Sequence, residues 1–156
     1  MEEFRLSYKQ FGAHSILIEW PQMISESILQ DMLSFKEIIK NKNIEYIISV
    51  NNAYHSLLIS YDGFKLNFEK EISKLKDLYS SITSQDILTS RLWYIPVCYD
   101  ESFGIDLEVL SQAKKISKKA IIERHTKAVY TVYFIGFLPG FLYLGGLNET
   151  LCFPRK

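Results

Sequence analysis

Residues 44–61, IEYIISVNNAYHSLLISY, contain two short runs of apolar and β-branched residues on either side of the polar connection NNAYH. Runs of this length and composition are typical of β-strands, so we predict strands at 44–50 and 56–61. Asp62 and Gly63 follow as a turn. Two strands so close in sequence pair most simply as antiparallel neighbours, and they predict a mainly antiparallel sheet.

Helices are predicted on both sides of these strands. Before them, apolar residues recur at intervals of four, three and four, which marks one face of a helix. Ser25 and Ser27 are candidate N-caps of this helix, and the polar sequence NKN at 41–43 marks its end. After the strands, a second apolar set has the same helical spacing. The two sets are Ile28, Met32, Phe35 and Ile39, and then Phe68, Ile72, Leu75, Tyr79 and Ile82.

Three further strands complete the predicted pattern. FRLSY at 4–8 and HSILIEW at 14–20 flank a turn at Gly12, and LWYIPVCY at 92–99 follows the second helix. The order β-β-α-β-β-α-β favours the α+β class, with helices on one face of the sheet. We predict that residues 1–85 form a split βαβ, ferredoxin-like layer domain.

The second region, 86–156, is predicted to contain a connecting strand, two short helices and the beginning of another domain. Ser117 is the candidate N-cap of its second helix, and a strand is predicted at 130–135. GFLPGFLYLGGL at 136–147 is interpreted as an apolar loop rich in glycine and aromatic residues, with no further strand left in the sequence to cover it. Such a loop needs a sheet or a partner to pack against, so we expect the chain to be truncated or to continue beyond its last residue.

Composition and charge exclude several classes of protein. The chain has 156 residues, 47% of them hydrophobic, and its 18 basic residues balance 18 acidic ones. A net charge of zero gives no overall attraction to nucleic acid or to anionic lipid. Residues 128–148 carry no charge and are long enough to cross a bilayer, but their glycines, Pro139 and β-branched residues favour a buried strand and loop. We therefore predict neither a nucleic-acid partner nor a membrane span.

The two cysteines, Cys98 and Cys152, are far apart in the sequence. This arrangement matches neither a disulfide framework nor the ligand spacing of a zinc site. Proteins of the reducing cytoplasm commonly keep isolated thiols. The cysteines therefore favour a cytoplasmic location.

The glycine-rich segment 136–147 allows two interpretations. As a tight loop, Pro139-Gly140 would set a turn and Gly145-Gly146 would allow close backbone approach. As a ligand site, aromatic side chains would form a wall, and free backbone N–H groups would bind a carboxylate or a phosphate. The segment has no P-loop spacing, so a nucleotide motif is not indicated. The candidate wall consists of Phe137, Phe141 and Tyr143.

His125 lies at the predicted end of a helix, immediately before the strand that leads into the glycine-rich segment. Its side chain is the candidate general base of the chain, because an unperturbed imidazole titrates near neutral pH. The alternative is a structural role at the helix C-terminus. His14 and His55 are isolated at strand starts, and we interpret both as structural.

Two clusters of charge are interpreted as solvated surface. The acidic residues around Gly104 do not have the spacing of a calcium-binding EF-hand loop, and no metal site is predicted. Residues 106–127 carry six basic and three acidic side chains in a helix-turn-helix rhythm. Lysine is common at such helix ends, so DNA binding is not favoured. The acidic residues are Asp100, Glu101, Asp106 and Glu108.

Two stretches carry a family resemblance. IPVCYDESFGIDLEVLSQ at 95–112 and YTVYFIGFLPGFLYLGGL at 130–147 resemble the bacterial family of KipI and of PxpB, the B subunit of 5-oxoprolinase. The same family is described as allophanate hydrolase subunit 1 or as a carboxyltransferase-domain half. His125 matches the histidine that precedes the family motif, and the motif itself is assigned to a ligand or partner loop. The residues that match this motif are Gly136, Phe137, Pro139, Gly140, Phe141, Tyr143, Gly145 and Gly146.

The resemblance implies a small α+β domain followed by a β-rich, cyclophilin-like domain. It implies activity only with partner subunits C and A, in an ATP- and Mg²⁺-dependent opening of 5-oxoproline to glutamate. Two alternatives stay open: a KipI-type inhibitor that binds a sporulation histidine kinase, and a carboxyltransferase or allophanate hydrolase-type subunit acting on urea-derived substrates. The family's later proline- and glycine-rich stretches are absent, so residues 1–156 alone are expected to lack activity.

Overall fold

A computed structural model of the chain describes residues 4–63, 66–82 and 90–154. The chain divides into two compact units, Met1–Ser90 and Arg91–Lys156. The predicted boundary between residues 85 and 86 lies outside the described residues. The prediction of helices combined with antiparallel sheets is confirmed.

Within its described residues, the first unit is a four-stranded antiparallel sheet with two helices. The sheet order is β1-β2-β4-β3, so β4 lies between the two strands that α1 connects. β1 begins three residues later than predicted, whereas β4 has the predicted bounds. Ser25 is the N-cap of α1, as predicted, and its hydroxyl accepts a hydrogen bond from the backbone N–H of Ser27. The elements are β1 (Ser7–Phe11), β2 (Ser15–Glu19), α1 (Glu26–Asn41), β3 (Ile47–Asn52), β4 (Ser56–Tyr61) and α2 (Phe68–Ser80).

The core of this unit lies between one face of the sheet and α1. Alternate residues of β2 and β4 are buried, as expected for strands with one covered face. All four residues of the predicted face of α1 are buried, and Leu75 of α2 joins them. The principal core residues are Ile16, Ile18, Leu57, Ile59, Ile28, Met32, Phe35 and Ile39.

A buried carboxylate links three elements of the core. Trp20 Nε1 and Tyr79 Oη both donate to Oδ2 of Asp31, each at 2.7 Å. The Phe35 ring packs edge-on against Trp20 and Tyr79, with centroids 6.4 and 5.2 Å apart. Because a buried carboxylate is costly without hydrogen bonds, these donors are required to hold Asp31 in the core.

Unfolding of the first unit is predicted to become easier at alkaline pH. Burial, with a smaller contribution from the charge of Asp31, raises the pKa of Tyr8 from 10.0 to about 12. Burial also raises the pKa of Tyr61 and Tyr79. The folded state therefore holds these protons more tightly than the unfolded state does. This contribution to stability is complete below pH 10.0 and is lost as the pH rises through the folded-state pKa values.

Denaturant unfolding at a series of alkaline pH values tests this prediction. The midpoint for the wild-type protein is expected to fall as the pH rises above 10.0, and Tyr8→Phe is expected to make that fall shallower. Parallel pH profiles for the two proteins would contradict the assignment of part of the effect to Tyr8.

The second unit contains two helices and a β-hairpin. The hydroxyl of Ser117 accepts a hydrogen bond from the backbone N–H of Ala120, which confirms Ser117 as the N-cap. Lys115 ends the preceding helix in a left-handed conformation, with φ of 55°. The elements are α3 (Leu107–Lys114), α4 (Lys118–Lys127), β5 (Thr131–Ile135), β6 (Leu142–Gly145) and a 3-10 turn (Glu149–Leu151).

Two predictions about strands in this unit are wrong. The segment 136–147 is not a strandless loop, because β6 lies within it and pairs with β5. Residues 92–99 form no strand, although their composition predicts one. A strand needs a neighbouring backbone to complete its hydrogen bonds, and within the described residues this segment pairs with none. Its apolar side chains are exposed, including Trp93 and Tyr94.

No helix among the described residues is long and apolar enough to cross a membrane. The uncharged stretch 128–148 contains the β5–β6 hairpin instead.

Candidate functional site

The hairpin holds seven of the eight residues of the predicted ligand or partner loop, and the eighth, Gly146, directly follows β6. β5 and β6 are antiparallel, with Ile135 opposite Leu142 and Thr131 opposite Gly145. An irregularity in the register between Val132 and Phe134 adds a residue to β5. Such a bulge increases the local twist of a strand pair.

The turn of the hairpin is held by its own backbone. The Gly136 N–H donates to the Phe141 carbonyl at 3.1 Å, and the Phe141 N–H donates to the Leu138 carbonyl at 3.0 Å. The Leu138 N–H in turn donates to the Gly136 carbonyl at 2.8 Å. The hypothesis of free N–H groups that bind a carboxylate or a phosphate is therefore wrong for these three residues, since closing the turn already uses their N–H groups.

Two residues of the turn have left-handed backbone conformations. Gly140 has φ of 81°, in keeping with the predicted Pro139-Gly140 turn. Phe137 has φ of 64°, which is uncommon for a bulky residue. Strained conformations of this kind persist where surrounding structure fixes them, and they occur often at functional sites. This conformation places the Phe137 side chain at the tip of the turn, where it is 81% exposed.

Gly145 and Gly146 allow the close backbone approach that the sequence predicts. A Cβ atom on Gly145 would lie 2.7 Å from Cε2 of Tyr133, which is a buried residue. A Cβ atom on Gly146 would lie 2.7 Å from the carbonyl oxygen of Val129. Neither distance is tolerable for a carbon atom, so a side chain at Gly145 would have to displace the Tyr133 ring, whereas one at Gly146 would meet backbone that cannot rotate away.

Four aromatic rings form a continuous row along the hairpin. Phe134 and Tyr143 stack with centroids 4.0 Å apart, and Phe141 meets Tyr143 edge-on at 5.2 Å. Phe137 meets Phe141 edge-on at 5.7 Å. The predicted wall is thus one connected cluster. We call it the aromatic row, and it consists of Phe134, Tyr143, Phe141 and Phe137.

The surface of the hairpin is apolar and uncharged. Residues 128–148 contain no Asp, Glu, Lys or Arg, so the hairpin cannot contribute a charged side chain to an ion pair with a ligand or a partner. Exposed apolar side chains in a contiguous group mark interaction surfaces. The exposed side chains of the hairpin, here called the hairpin surface, are Val132, Ile135, Phe137, Leu138, Phe141 and Leu144.

His125 contacts a different set of aromatic rings. The Tyr99 hydroxyl is hydrogen-bonded to Nδ1 of His125, and the Tyr130 hydroxyl donates to its backbone carbonyl at 3.0 Å. The two tyrosine rings lie 5.8 and 5.4 Å from the imidazole, centroid to centroid. Neither tyrosine is predicted as a partner of His125 from the sequence. Tyr130 follows the helix end closely, but no sequence pattern joins Tyr99 to a residue 26 positions away.

Lys118 of α4 forms ion pairs with two of the acidic residues around Gly104. Lys118 Nζ lies 2.9 Å from Glu108 Oε2 and 3.8 Å from Glu101 Oε1. The hydrogen bond from Lys118 holds the pKa of Glu108 below its usual value. Among the described residues, no group of three His, Cys, Asp or Glu side chains could hold a metal ion.

The hairpin itself does not fit Mg²⁺-bound ATP. Residues 128–148 contain no carboxylate for the metal. The glycine-rich turn also lacks a free N–H cradle, because the N–H groups of Gly136, Leu138 and Phe141 are already bonded. Phosphate sites need free donors or cations, and the hairpin surface has no cation.

Comparison with known proteins identifies the family. The family model described as carboxyltransferase domain, subdomain C and D, matches residues 6–156. This chain therefore belongs to the carboxyltransferase subdomain C and D family. The resemblance to the B subunit of 5-oxoprolinase is confirmed by curated relatives of that name.

The relative from Bacillus subtilis (strain 168) is 28% identical over 162 residues, which cover 97% of this chain and 68% of the relative. The relative from Haemophilus influenzae (strain ATCC 51907 / DSM 11121 / KW20 / Rd) is 34% identical over 113 residues, which cover 72% of this chain and 50% of the relative. The chain thus spans only part of the length of these relatives.

Solved structures agree on the fold. A crystal structure of TTHA0988 matches 91% of this chain with a TM-score of 0.75 and 26% identity, and the match covers 27% of that chain. The Kluyveromyces lactis urea carboxylase matches 89% of this chain with a TM-score of 0.62 and 17% identity, over 14% of its own length. The second likeness concerns the fold alone.

Proposed function

We propose that this chain is the B-type subunit of a 5-oxoprolinase, which opens 5-oxoproline to L-glutamate with hydrolysis of ATP. The observation that carries the proposal is the similarity across 97% of the chain to a relative named as the B subunit of 5-oxoprolinase. The hairpin surface supports a role that depends on other subunits, because it offers an apolar contact area and no complete catalytic group.

The chemistry explains why partners would be required. Hydrolysis of an unstrained lactam is slow, and bound ATP would supply the phosphoryl group that activates the lactam carbonyl. Charge that develops on the phosphoryl oxygens needs cations and preorganised donors. The hairpin supplies neither set, because the N–H groups of its turn are already bonded and residues 128–148 carry no charge. We therefore assign the groups that hold ATP and Mg²⁺ to other parts of the assembled enzyme.

Subunits C and A are the proposed partners, and the hairpin surface is the proposed contact. Interface cores are enriched in aromatic residues and depleted of charge, as this surface is. Phe137 lies at the tip of the turn and is 81% exposed, and exposed aromatic side chains of this kind often serve as anchor residues.

The finer description of the fold is also proposed. The position of β4 between β2 and β3 supports a ferredoxin-like first unit. The β5–β6 hairpin would then begin a cyclophilin-like domain. A cytoplasmic location is supported by Cys98 and Cys152, which are both free thiols.

Replacing the anchor is expected to weaken partner binding. Phe137→Asn keeps a residue that tolerates a left-handed backbone but removes the ring. We expect a loss of affinity for the partner subunits of about 30-fold, which corresponds to a hot-spot contribution of about 2 kcal/mol. Isothermal titration calorimetry with the purified partner subunits measures this affinity.

The matched control is Phe103→Asn. Phe103 is also an exposed phenylalanine of the second unit, but it lies in the turn before α3 and outside the hairpin surface. Its replacement should leave the affinity within about twofold of the wild-type value, since isolated exposed residues contribute little. Equal losses in the two variants would contradict the assignment of the contact to the hairpin.

Co-expression with subunits C and A tests the proposed function at the level of assembly. Purification through a tag on this chain is expected to retain both subunits. The KipI-type alternative predicts instead that the chain binds the dimerisation domain of a histidine kinase and lowers its autophosphorylation. If the folded chain retains neither subunit, the oxoprolinase proposal is contradicted.

A further inference from the structure

The contacts of His125 fix both its backbone and its ring. Tyr130, at the start of the hairpin, donates to the His125 carbonyl, which is one of the terminal carbonyls that α4 leaves without a helical partner. Tyr99, in the segment before α3, is hydrogen-bonded to Nδ1 of the imidazole. The ring is therefore held between two tyrosines that come from different parts of the second unit.

The hydrogen bond between the Tyr99 hydroxyl and Nδ1 allows two arrangements, because the roles of donor and acceptor depend on the imidazole tautomer. A phenol has one proton to donate, and burial raises the pKa of Tyr99, so this hydroxyl stays protonated at neutral pH. Among the described residues, Nδ1 is the acceptor that its hydroxyl reaches. If Nδ1 carried the proton and donated it to the phenol oxygen, the Tyr99 proton would have to turn away from this acceptor and toward solvent. In a neutral histidine, the hydrogen bond at one nitrogen sets the protonation of the other.

We propose that Tyr99 is a positioning residue that holds neutral His125 as the tautomer protonated on Nε2. In this form the Nδ1 lone pair is occupied by the tyrosine hydroxyl, and Nε2 carries a hydrogen. Neutral His125 can then donate a hydrogen bond through its Nε2–H. It cannot act as a general base, because neither ring nitrogen has a free lone pair. This inference does not depend on the proposed oxoprolinase function.

Long-range proton–nitrogen NMR of the complete chain, labelled with ¹⁵N-histidine, tests the proposal. The spectrum is recorded above the pH at which the imidazole loses its charge, and the His125 signals are assigned by their loss in His125→Asn. The wild-type protein is expected to show His125 as the Nε2–H tautomer alone. Signals of the Nδ1–H tautomer would overturn the proposal.

Tyr99→Phe provides the second measurement. It removes the hydroxyl and keeps the ring, so the His125 nitrogen signals are expected to move toward those of a mixture of tautomers. The matched control is Tyr94→Phe, because Tyr94 lies in the same segment and is 89% exposed. The control should leave the signals unchanged. Unchanged signals in folded Tyr99→Phe would also overturn the proposal, and the wild-type spectrum decides the question if that variant does not fold.

Discussion

Phe35→Ala is expected to lower the free energy of unfolding of the first unit by about 4 kcal/mol. Phe35 is fully buried and its ring packs against both Trp20 and Tyr79. Removing the ring leaves a cavity beside the two donors that hold the Asp31 carboxylate. The loss therefore includes the transfer energy of the ring and the weakened support of a buried charge.

Denaturant unfolding monitored by the fluorescence of Trp20 measures this change, in a background where Trp93 is replaced by phenylalanine. The matched control is Phe11→Ala, at a phenylalanine of β1 that is 55% exposed. We expect the control to cost less than about 1 kcal/mol, because an exposed side chain leaves no cavity. Similar losses at the two positions would contradict the placement of the core.

Gly146→Ala is expected to destabilise the hairpin by about 3 kcal/mol, through backbone strain and a steric clash. Gly146 has φ of 97°, which an L side chain rarely adopts, and the new Cβ would lie 2.7 Å from the Val129 carbonyl oxygen. That neighbour is backbone, so it cannot rotate away. Amide hydrogen exchange of β5 and β6 measures the loss as faster exchange in the hairpin.

Gly140→Ala separates the two causes. Gly140 also has a positive φ, of 81°, but a Cβ there would have no neighbour within 4 Å. Its replacement is expected to cost about 1 kcal/mol, from backbone strain alone. Equal protection in the two variants would show that the backbone at Gly146 does not approach Val129 as the structure has it.

The spacing of apolar residues predicted the first unit well because its sheet and α1 each bury one face. The helical spacing of Ile28, Met32, Phe35 and Ile39 marked a face that is buried in full. The buried Asp31 was missed, although it lies three residues after Ile28 and four before Phe35. Helical spacing alone places it on the buried face, but nothing local to it points to Trp20 and Tyr79 as its donors.

The second unit was harder to predict because its structure depends on pairing. β6 is short and the segment around it is rich in glycine, so its composition indicated a loop. It forms a strand because β5 supplies the backbone hydrogen bonds. Residues 92–99 show the reverse, with a strand-like composition and no ladder partner among the described residues. The residues of the candidate site were found through the glycine and aromatic motif. The Tyr99–His125 contact was not, because it joins residues far apart in sequence.

The release of ADP and glutamate from ATP and 5-oxoproline is the most direct test of the central claim, measured with this chain co-expressed with subunits C and A. We predict coupled release of both products that depends on 5-oxoproline and is lost when this chain is omitted. The Phe137→Asn complex should need more of this chain to reach the same rate. Product release that is unchanged without the chain, from partner subunits shown to be folded, would contradict the account.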